Sequence, residues 1–270
     1  MKKILLILVI IGLMAASAVL AGCTSCAHNL KYLDESDYSG GGQIERTFPA
    51  PDFRAVHAAR AVEVFITADS TPQIRIEAPE KLMPYVIAEE QNGTLQISID
   101  KKVKRISNAA VKAYVPANGK IRSLRASSAA KIICRTALGA EIFSIDASSA
   151  AQIEAAVNTE VCEIDASSAA KIKAAIKTGE CTVDVSSAAK VVLSGAANKC
   201  TAEISSAAKF SAPEFQVARY AIDASSGSGA SIHCTEELRA EASSGSSIEY
   251  KGDCSTDLSR SSGGSIRQTR

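Results

Sequence analysis

The chain has 270 residues, with 30 Lys and Arg residues against 29 Asp and Glu residues, so its net charge is close to zero. This balance, together with the lack of a basic patch that carries interleaved aromatic residues, argues against a nucleic-acid-binding protein. Trp is absent and aromatic residues make up only 4%, while Ala and Ser are abundant, so any core must be thin.

Residues 1–22 have the organisation of a lipoprotein signal peptide. A basic start is followed by an apolar run from Ile4 to Leu20 and by small residues, which is typical of an export signal. The run ends in "LAGC", which resembles the bacterial lipobox and predicts lipidation of Cys23; a signal-anchor helix is the alternative. Because Thr24 and not aspartate follows Cys23, the usual sorting rule predicts the outer membrane of a two-membrane cell. The membrane is then the first expected partner.

Residues 23–43 are polar and end in "SGGGQ", which predicts a flexible tether after the lipidated cysteine. Residues 44–124 favour strands, at 62–68, 73–78, 94–99 and 110–116, and Asn92-Gly93 is a strong hairpin signal. This region forms either the first laps of a coil with degenerate corners or a small antiparallel cap. We favour a continuous stack, because the alternation runs without a linker into Leu124.

Residues 125–270 carry a repeat marked by pairs of serines that recur every 18 to 21 residues. The first serines of the pairs are Ser127, Ser148, Ser167, Ser186, Ser205, Ser225, Ser243 and Ser261. Apolar and polar residues alternate with period 2 on both sides of each pair, as in strands, and the period is too short for helical-hairpin repeats. We predict an all-β fold, a right-handed parallel β-helix (β-solenoid) with laps of about 18–21 residues and a structural corner at each serine pair.

The opening block "ERTFPAPDFRAVHAARAVEVFITADSTPQIRIEAPEKLMPYV", then "NGTLQISI" and the serial corners, resembles the putative auto-transporter adhesin, head GIN domain family. The resemblance covers residues 45–270. It implies a secreted or lipid-anchored bacterial protein with a right-handed parallel β-helix and a role in adhesion, and it supplies no catalytic residues. This chain departs from the family pattern in using Ala-Ala where Gly is frequent.

Two charged ladders are candidate surface sites, because equivalent residues of successive laps lie on top of each other in such a coil. The acidic ladder is Asp146, Asp165, Asp184, Glu203, Asp223 and Glu241, and the basic ladder is Lys131, Lys171, Lys190 and Lys209, interrupted by Gln152. Stacked like charges repel, and we expect solvation and diagonal pairing with the lysines to offset this repulsion. A row of cations or a cationic partner along the acidic ladder is the alternative.

The six cysteines after the tether are Cys134, Cys162, Cys181, Cys200, Cys234 and Cys254. Cys162, Cys181 and Cys200 share one phase of the repeat, which by alternation faces inward. We interpret them as small buried hydrophobic residues, with one disulfide between stacked neighbours as the alternative. No metal or cofactor is expected, since the histidines do not cluster with the cysteines.

A non-catalytic binding protein is the favoured function. Eight repeated serine pairs without a nucleophile elbow indicate a structural role, and laps of similar length leave little room for the long loops that carry β-helix active sites. The expected partner is a polysaccharide or an envelope protein. A polysaccharide lyase or hydrolase, and a structural or envelope-stress accessory protein, are the alternatives.

Overall fold

The computed structural model describes residues 34–38, 42–68, 71–106 and 110–270. The predicted signal peptide, Cys23 and most of the predicted tether lie outside these residues. Within them, no helix is long and apolar enough to cross a membrane. One part of the predicted tether is folded: helix α1 (Glu35–Tyr38) buries the ring of Tyr38, whose hydroxyl donates a hydrogen bond to the Arg105 carbonyl at 2.9 Å.

The described chain is 68% strand and winds as a β-solenoid of about eight turns, as the repeat predicts. The strands are β1 (Gln43–Pro49), β2 (Ala55–Ala59), β3 (Glu63–Thr67), β4 (Gln73–Pro79), β5 (Val86–Gln91), β6 (Thr94–Ile99), β7 (Lys112–Pro116), β8 (Ser123–Ser127), β9 (Lys131–Ala147), β10 (Gln152–Ala166), β11 (Lys171–Val185), β12 (Lys190–Ile204), β13 (Lys209–Ala224), β14 (Gly229–Ala242), β15 (Ser247–Lys251), β16 (Ser255–Arg260) and β17 (Ser265–Gln268). A 3-10 turn covers Met83–Tyr85.

The repeat region stacks in parallel and in register. β10 pairs with β9 on one side and with β11 on the other, and the order continues through β12, β13 and β14 to the short strands β15, β16 and β17. Laps with extra residues absorb them as register shifts, for example between Glu154 and Ala156. Each lap therefore keeps the same residue over the same column.

The N-terminal region combines the two alternatives that the sequence leaves open. β2 and β3 form a lap that pairs in parallel with β8 and β9 on one side and with β6 and β7 on the other. β6 also pairs antiparallel with β5 through the Asn92-Gly93 hairpin, which confirms that turn signal. β7 pairs antiparallel with β4, and β4 with β1. A parallel stack is thus closed by an antiparallel cap.

The core is thin near the corners and wider away from them. Ala166 and Ala170, which flank one corner, are both buried, and the next inward positions hold Ile164 and Ile172. Small side chains beside the turn let the two walls approach, while the larger ones fill the space where the walls separate. The outward positions between them are left for polar side chains.

Candidate functional site

The serine corners are four-residue turns that reverse the chain. In each of the eight, the amide of the fourth residue donates to the carbonyl of the first serine, as from Ala170 to Ser167 at 3.1 Å. The two central residues have positive φ, 51° at Ser168 and 60° at Ala169. These are the features of a type I′ turn, which reverses the direction of the chain. The Ala169 amide also donates to Ser187 of the next lap at 2.9 Å, so the corner continues the hydrogen-bond ladder.

Side-chain hydrogen bonds at the corners come mainly from the fourth position. Ser228 and Ser246 replace the alanine found there in earlier laps; both are buried, and their hydroxyls donate to the carbonyls of Ile204 (3.0 Å) and Ala224 (2.7 Å). The second serines, such as Ser168, are exposed. The second serines therefore act as turn residues with exposed outer faces, whereas the first serine of one pair, Ser127, has its Oγ 3.2 Å from His57 Nε2.

Sequence reasoning missed one corner, at Arg60-Ala61. Both residues have positive φ, 61° and 58°, and the Ala61 amide donates to the Ser128 carbonyl at 2.9 Å. The corner has no serine, but Val56, Ala58, Val62 and Val64 repeat the spacing of inward residues found around the later corners up to Ser243. That spacing of apolar residues is the signal that could have located it.

The acidic ladder forms one continuous outward column. Its six members, Asp146, Asp165, Asp184, Glu203, Asp223 and Glu241, pair directly with one another from lap to lap. The four central members are exposed. Burial, followed by the charges of Asp146 and Asp184, raises the pKa of Asp165, and Arg125 lowers it to a smaller extent. The carboxylates of the column therefore repel one another.

Arginines, and not lysines, partner the ends of the acidic column. Arg125 lies 3.0 Å from Asp146, and Arg239 lies 2.9 Å from Glu241. Among the described residues, none of the four ladder lysines makes an ion pair with a member of the acidic column. The predicted diagonal pairing with lysines is therefore wrong.

The lysine ladder lies on the other side of the corner. Lys171, Lys190 and Lys209 pair in consecutive laps and are exposed, and Gln152 separates Lys171 from the fourth member, Lys131. At the turns before Lys171, Lys190 and Lys209, the acidic residue precedes the turn by two places and the lysine follows it directly, so the reversal of the chain places them on opposite outer faces. We call these two surfaces the acidic face and the lysine face.

Each face carries an open groove lined by repeated residues. The groove on the lysine face has a volume of about 300 Å³ and is lined by Lys131, Lys171, Lys190 and their neighbours. A groove of about 440 Å³ on the acidic face is lined by Asp146, Asp165 and Asp184. In the part of the chain that the structure describes, no three His, Cys, Asp or Glu side chains are grouped as a metal site would require. Each groove offers mainly like charges in a row. The opposite charges among the lining residues are Glu154, which pairs with Lys173 at 3.8 Å, and Arg125, which pairs with Asp146 at 3.0 Å.

The cysteine row lies inside the coil, as its phase indicates. Cys162, Cys181 and Cys200 pair in successive laps and are buried, and Tyr220 continues the column. The six cysteines of the described residues are free thiols. Hydrogen bonds from Cys162 and Cys200, followed by burial, raise the pKa of Cys181 far above its ordinary value, so this thiol stays protonated. The row is part of the hydrophobic core.

Several solved structures have the same fold at low sequence identity. A putative adhesin from Parabacteroides merdae matches with a TM-score of 0.80 and 19% identity over 89% of this chain and 100% of that one. A putative adhesin and a putative lipid binding protein, both from Parabacteroides distasonis, match with TM-scores of 0.78 and 0.77 and identities of 15% and 18%. The first covers 85% of this chain and 98% of its own, and the second covers 89% and 100%.

A search of curated proteins found no match. The sequence profile of one family, described as putative auto-transporter adhesin, head GIN domain, matches residues 52–254, which hold most of the laps described above. The chain therefore belongs to the putative auto-transporter adhesin, head GIN domain family.

Proposed function

We propose that this protein is an exported, lipid-anchored and non-catalytic adhesin that binds an anionic polysaccharide along its lysine face. The observation that carries the proposal is the register of Lys171, Lys190 and Lys209, which pair directly in three consecutive laps. Positions that pair in this way repeat at the strand spacing, ~4.8 Å. A polyuronate carries one carboxylate on every sugar, so its charges also repeat at regular intervals along the polymer.

The strength of such binding comes from repetition. A single exposed ion pair contributes only about 0.2–1 kcal/mol, because water and salt screen it. Several lysines held on one rigid face bind a linear polymer together, since each contact raises the effective concentration of the next. An extended polymer gains from this arrangement, whereas a small molecule would meet only one or two lysines.

The side chains that line the grooves favour a binding protein over an enzyme. Catalysis requires unlike groups, such as an acid and a base, that converge on one bond of the substrate. The groove on the lysine face is lined mainly by lysines from successive laps, and its one carboxylate, Glu154, is paired with Lys173 at 3.8 Å. The description of the family as an adhesin agrees with a surface that binds without chemistry.

The anchor is proposed from the sequence, since Cys23 follows the lipobox-like "LAGC" run. With a lipid on Cys23, the protein would sit on the outer membrane, and the chain that follows would carry the coil away from it. One similar structure, from Parabacteroides distasonis, is named a putative lipid binding protein. That name describes the neighbouring protein and does not bear on the lipid anchor proposed for this chain.

Binding is tested with a glycan array that includes polyuronates and neutral glucans, followed by titration calorimetry on the best polymer. The double variant Lys171→Gln/Lys190→Gln should weaken polyuronate binding by roughly tenfold or more, since two charge contacts are lost. The double variant Lys177→Gln/Lys199→Gln changes the net charge equally at two exposed lysines outside the column and should bind as the parent does. Equal loss in both variants, or binding of neutral glucans alone, would contradict the proposal.

Chemistry and placement are tested separately. A reducing-sugar assay on the bound polymer should show no new chain ends; their appearance would indicate a hydrolase or lyase.

Cys23→Ser should move the protein from the membrane fraction to the soluble fraction. Protease treatment of intact cells should remove the wild-type protein from the surface, and its survival would favour a periplasmic accessory role over adhesion.

A further inference from the structure

Cys234 and Cys254 lie at the same corner of two successive laps. Strand β14 pairs with β15 up to His233 and Lys251, and with β16 from Glu237 and Ser255 onward. Between these pairs each lap has three residues, residues 234–236 in one and residues 252–254 in the next. The two cysteines therefore occupy opposite ends of one short stacked corner.

The side chain of Cys234 crosses this corner. Its Sγ lies 3.1 Å from the carbonyl oxygen of Glu237, at the far end of the three-residue segment. Glu237 pairs with Ser255, whose hydroxyl donates to the Glu236 carbonyl at 3.1 Å and so holds the next lap against the corner. Cys254 directly precedes Ser255 and so lies beside Glu236, at the end of the corner that the Cys234 side chain reaches.

The other described cysteines are placed less well for a disulfide. Cys162, Cys181 and Cys200 are directly in register within strands, so their Cβ atoms are separated by about the strand spacing of ~4.8 Å, which exceeds the mean of ~3.8 Å in disulfides. Cys134 pairs with Ile66 of β3, so it has no cysteine opposite it in that strand. Cys254, by contrast, is partly exposed and lies between β15 and β16, where the backbone can adjust.

We propose that Cys234 and Cys254 form a disulfide when the protein meets an oxidising compartment, and that this bond fastens the last lap to the coil. The oxidant is an external disulfide, either a small molecule or a protein. The Cys254 thiolate attacks it, forms a mixed disulfide and releases one thiol. The Cys234 sulfur then attacks the Cys254 sulfur and releases the second thiol, so two electrons and two protons pass to the external disulfide.

The consequence concerns the strands at the end of the coil. Among the described residues, β16 pairs only with β14, and β17 only with β15, so both are held from one side. Strands with few partners open more readily than the centre of a stack. A covalent link between β14 and the residue before β16 would oppose this opening. The inference requires export but does not depend on what the lysine face binds.

The test compares mature protein incubated with oxidised or with reduced glutathione. Oxidation should remove two hydrogen masses from the intact protein, and peptide mapping should find the Cys234–Cys254 cross-link. Burial and the neighbouring Cys234 raise the pKa of Cys254 to about 11, so the rate of cross-linking should increase about tenfold per unit between pH 7 and pH 9, with the thiolate fraction. Hydrogen exchange of the β16 and β17 amides should slow on the order of tenfold after oxidation.

Two variants make the result decisive. Cys254→Ser should abolish both the cross-link and the slowing of exchange, whereas Cys134→Ser, which removes a cysteine elsewhere, should keep both. The proposal is overturned if both thiols remain open to alkylation after prolonged oxidation of the native protein. It is also overturned if the cross-link maps to the Cys162, Cys181 and Cys200 row.

Discussion

Arg125 and Asp146 form an ion pair across a lap boundary, with Arg125 Nε 3.0 Å from Asp146 Oδ2, and they occupy the same position in adjacent strands. The pair ends the acidic column on the side of the cap. Beyond it, the four central carboxylates of the column have no ion pair among the described residues. Repulsion between carboxylates is therefore relieved at the ends of the column and left in its middle.

The middle of the acidic column should destabilise the fold at neutral pH. Because the pKa of Asp165 is raised from its ordinary value of 3.8, the folded protein binds this proton more tightly than the unfolded chain does. The stabilisation from the bound proton is complete below pH 3.8 and is lost as the pH rises through the raised pKa. Asp165→Asn should thus raise the free energy of unfolding at pH 7 by a few tenths of a kcal/mol, given the solvent screening of this exposed side chain. Urea unfolding of the parent and of Asp165→Asn, below pH 3.8 and at pH 7, measures this difference in the free energy of unfolding.

Asp146→Asn is the matched control. It also removes one carboxylate from the column, but it breaks the ion pair with Arg125. We expect no gain, or a small loss, in the free energy of unfolding at pH 7. If the two variants gain equally, the position of Arg125 has no influence and the interpretation of the column is wrong.

At corner positions with positive φ, glycine should give a more stable fold than alanine. Gly245, with φ of 71°, has open space around its Cα, so Gly245→Ala should cost only the backbone strain, about 1 kcal/mol. Ala169→Gly should relieve similar strain at φ of 60° and raise the melting temperature by a few degrees. Ala166→Gly, at a buried position without positive φ, should lower it. Thermal unfolding of the three variants tests the turn geometry, and equal signs for the first two would contradict it.

Gly195 should tolerate no side chain. Its φ is 107°, and a Cβ there would lie 2.1 Å from the Ile176 carbonyl oxygen of the preceding lap. Gly195→Ala must either break the stacking of these laps or shift them, so we expect a loss of several kcal/mol, compared with about 1 kcal/mol for Gly245→Ala. A melting temperature close to that of the parent would show that the two laps do not approach each other in this way.

The hydroxyl of Tyr220 is buried and has no hydrogen-bond partner within the described part of the chain, although it faces the Cys200 thiol. Removal of an unsatisfied buried polar group should not weaken the core, so Tyr220→Phe should leave the free energy of unfolding unchanged or raise it by about 1 kcal/mol. Tyr38→Phe is the control, since the Tyr38 hydroxyl donates to the Arg105 carbonyl at 2.9 Å and its loss should lower stability by about 1 kcal/mol. A loss of stability in Tyr220→Phe would mean that the Tyr220 hydroxyl donates a hydrogen bond to the Cys200 sulfur.

The repeat region could be predicted because its information is local. The period places Cys162 over Cys181, and the alternation places Asp165 outside and Ile164 inside, so columns follow once a coil is assumed. The opposite placement of Asp165 and Lys171 required the geometry of the turn between them. The expected pairing of lysines with the acidic ladder failed for that reason.

The cap could not be predicted because its pairings are not local. β6 follows β2 by more than 30 residues and yet lies on the side of β2 away from β8, so the order of strands in the stack differs from their order in the chain. Alternation identifies such segments as strands but does not state which neighbours they choose. The corner at Arg60 was missed because its residues are not serines, although its backbone conformation is the same.

The central claim is that equivalent residues of successive laps lie in straight columns one strand apart. Pulsed electron paramagnetic resonance can measure this directly, with spin labels on pairs of exposed second serines in a Cys254→Ser background. Distances should increase by ~4.8 Å per lap, from ~14 Å between Ser149 and Ser206 to ~24 Å between Ser149 and Ser244. Distances that do not rise in proportion to the number of laps would contradict the columns and, with them, the lysine face.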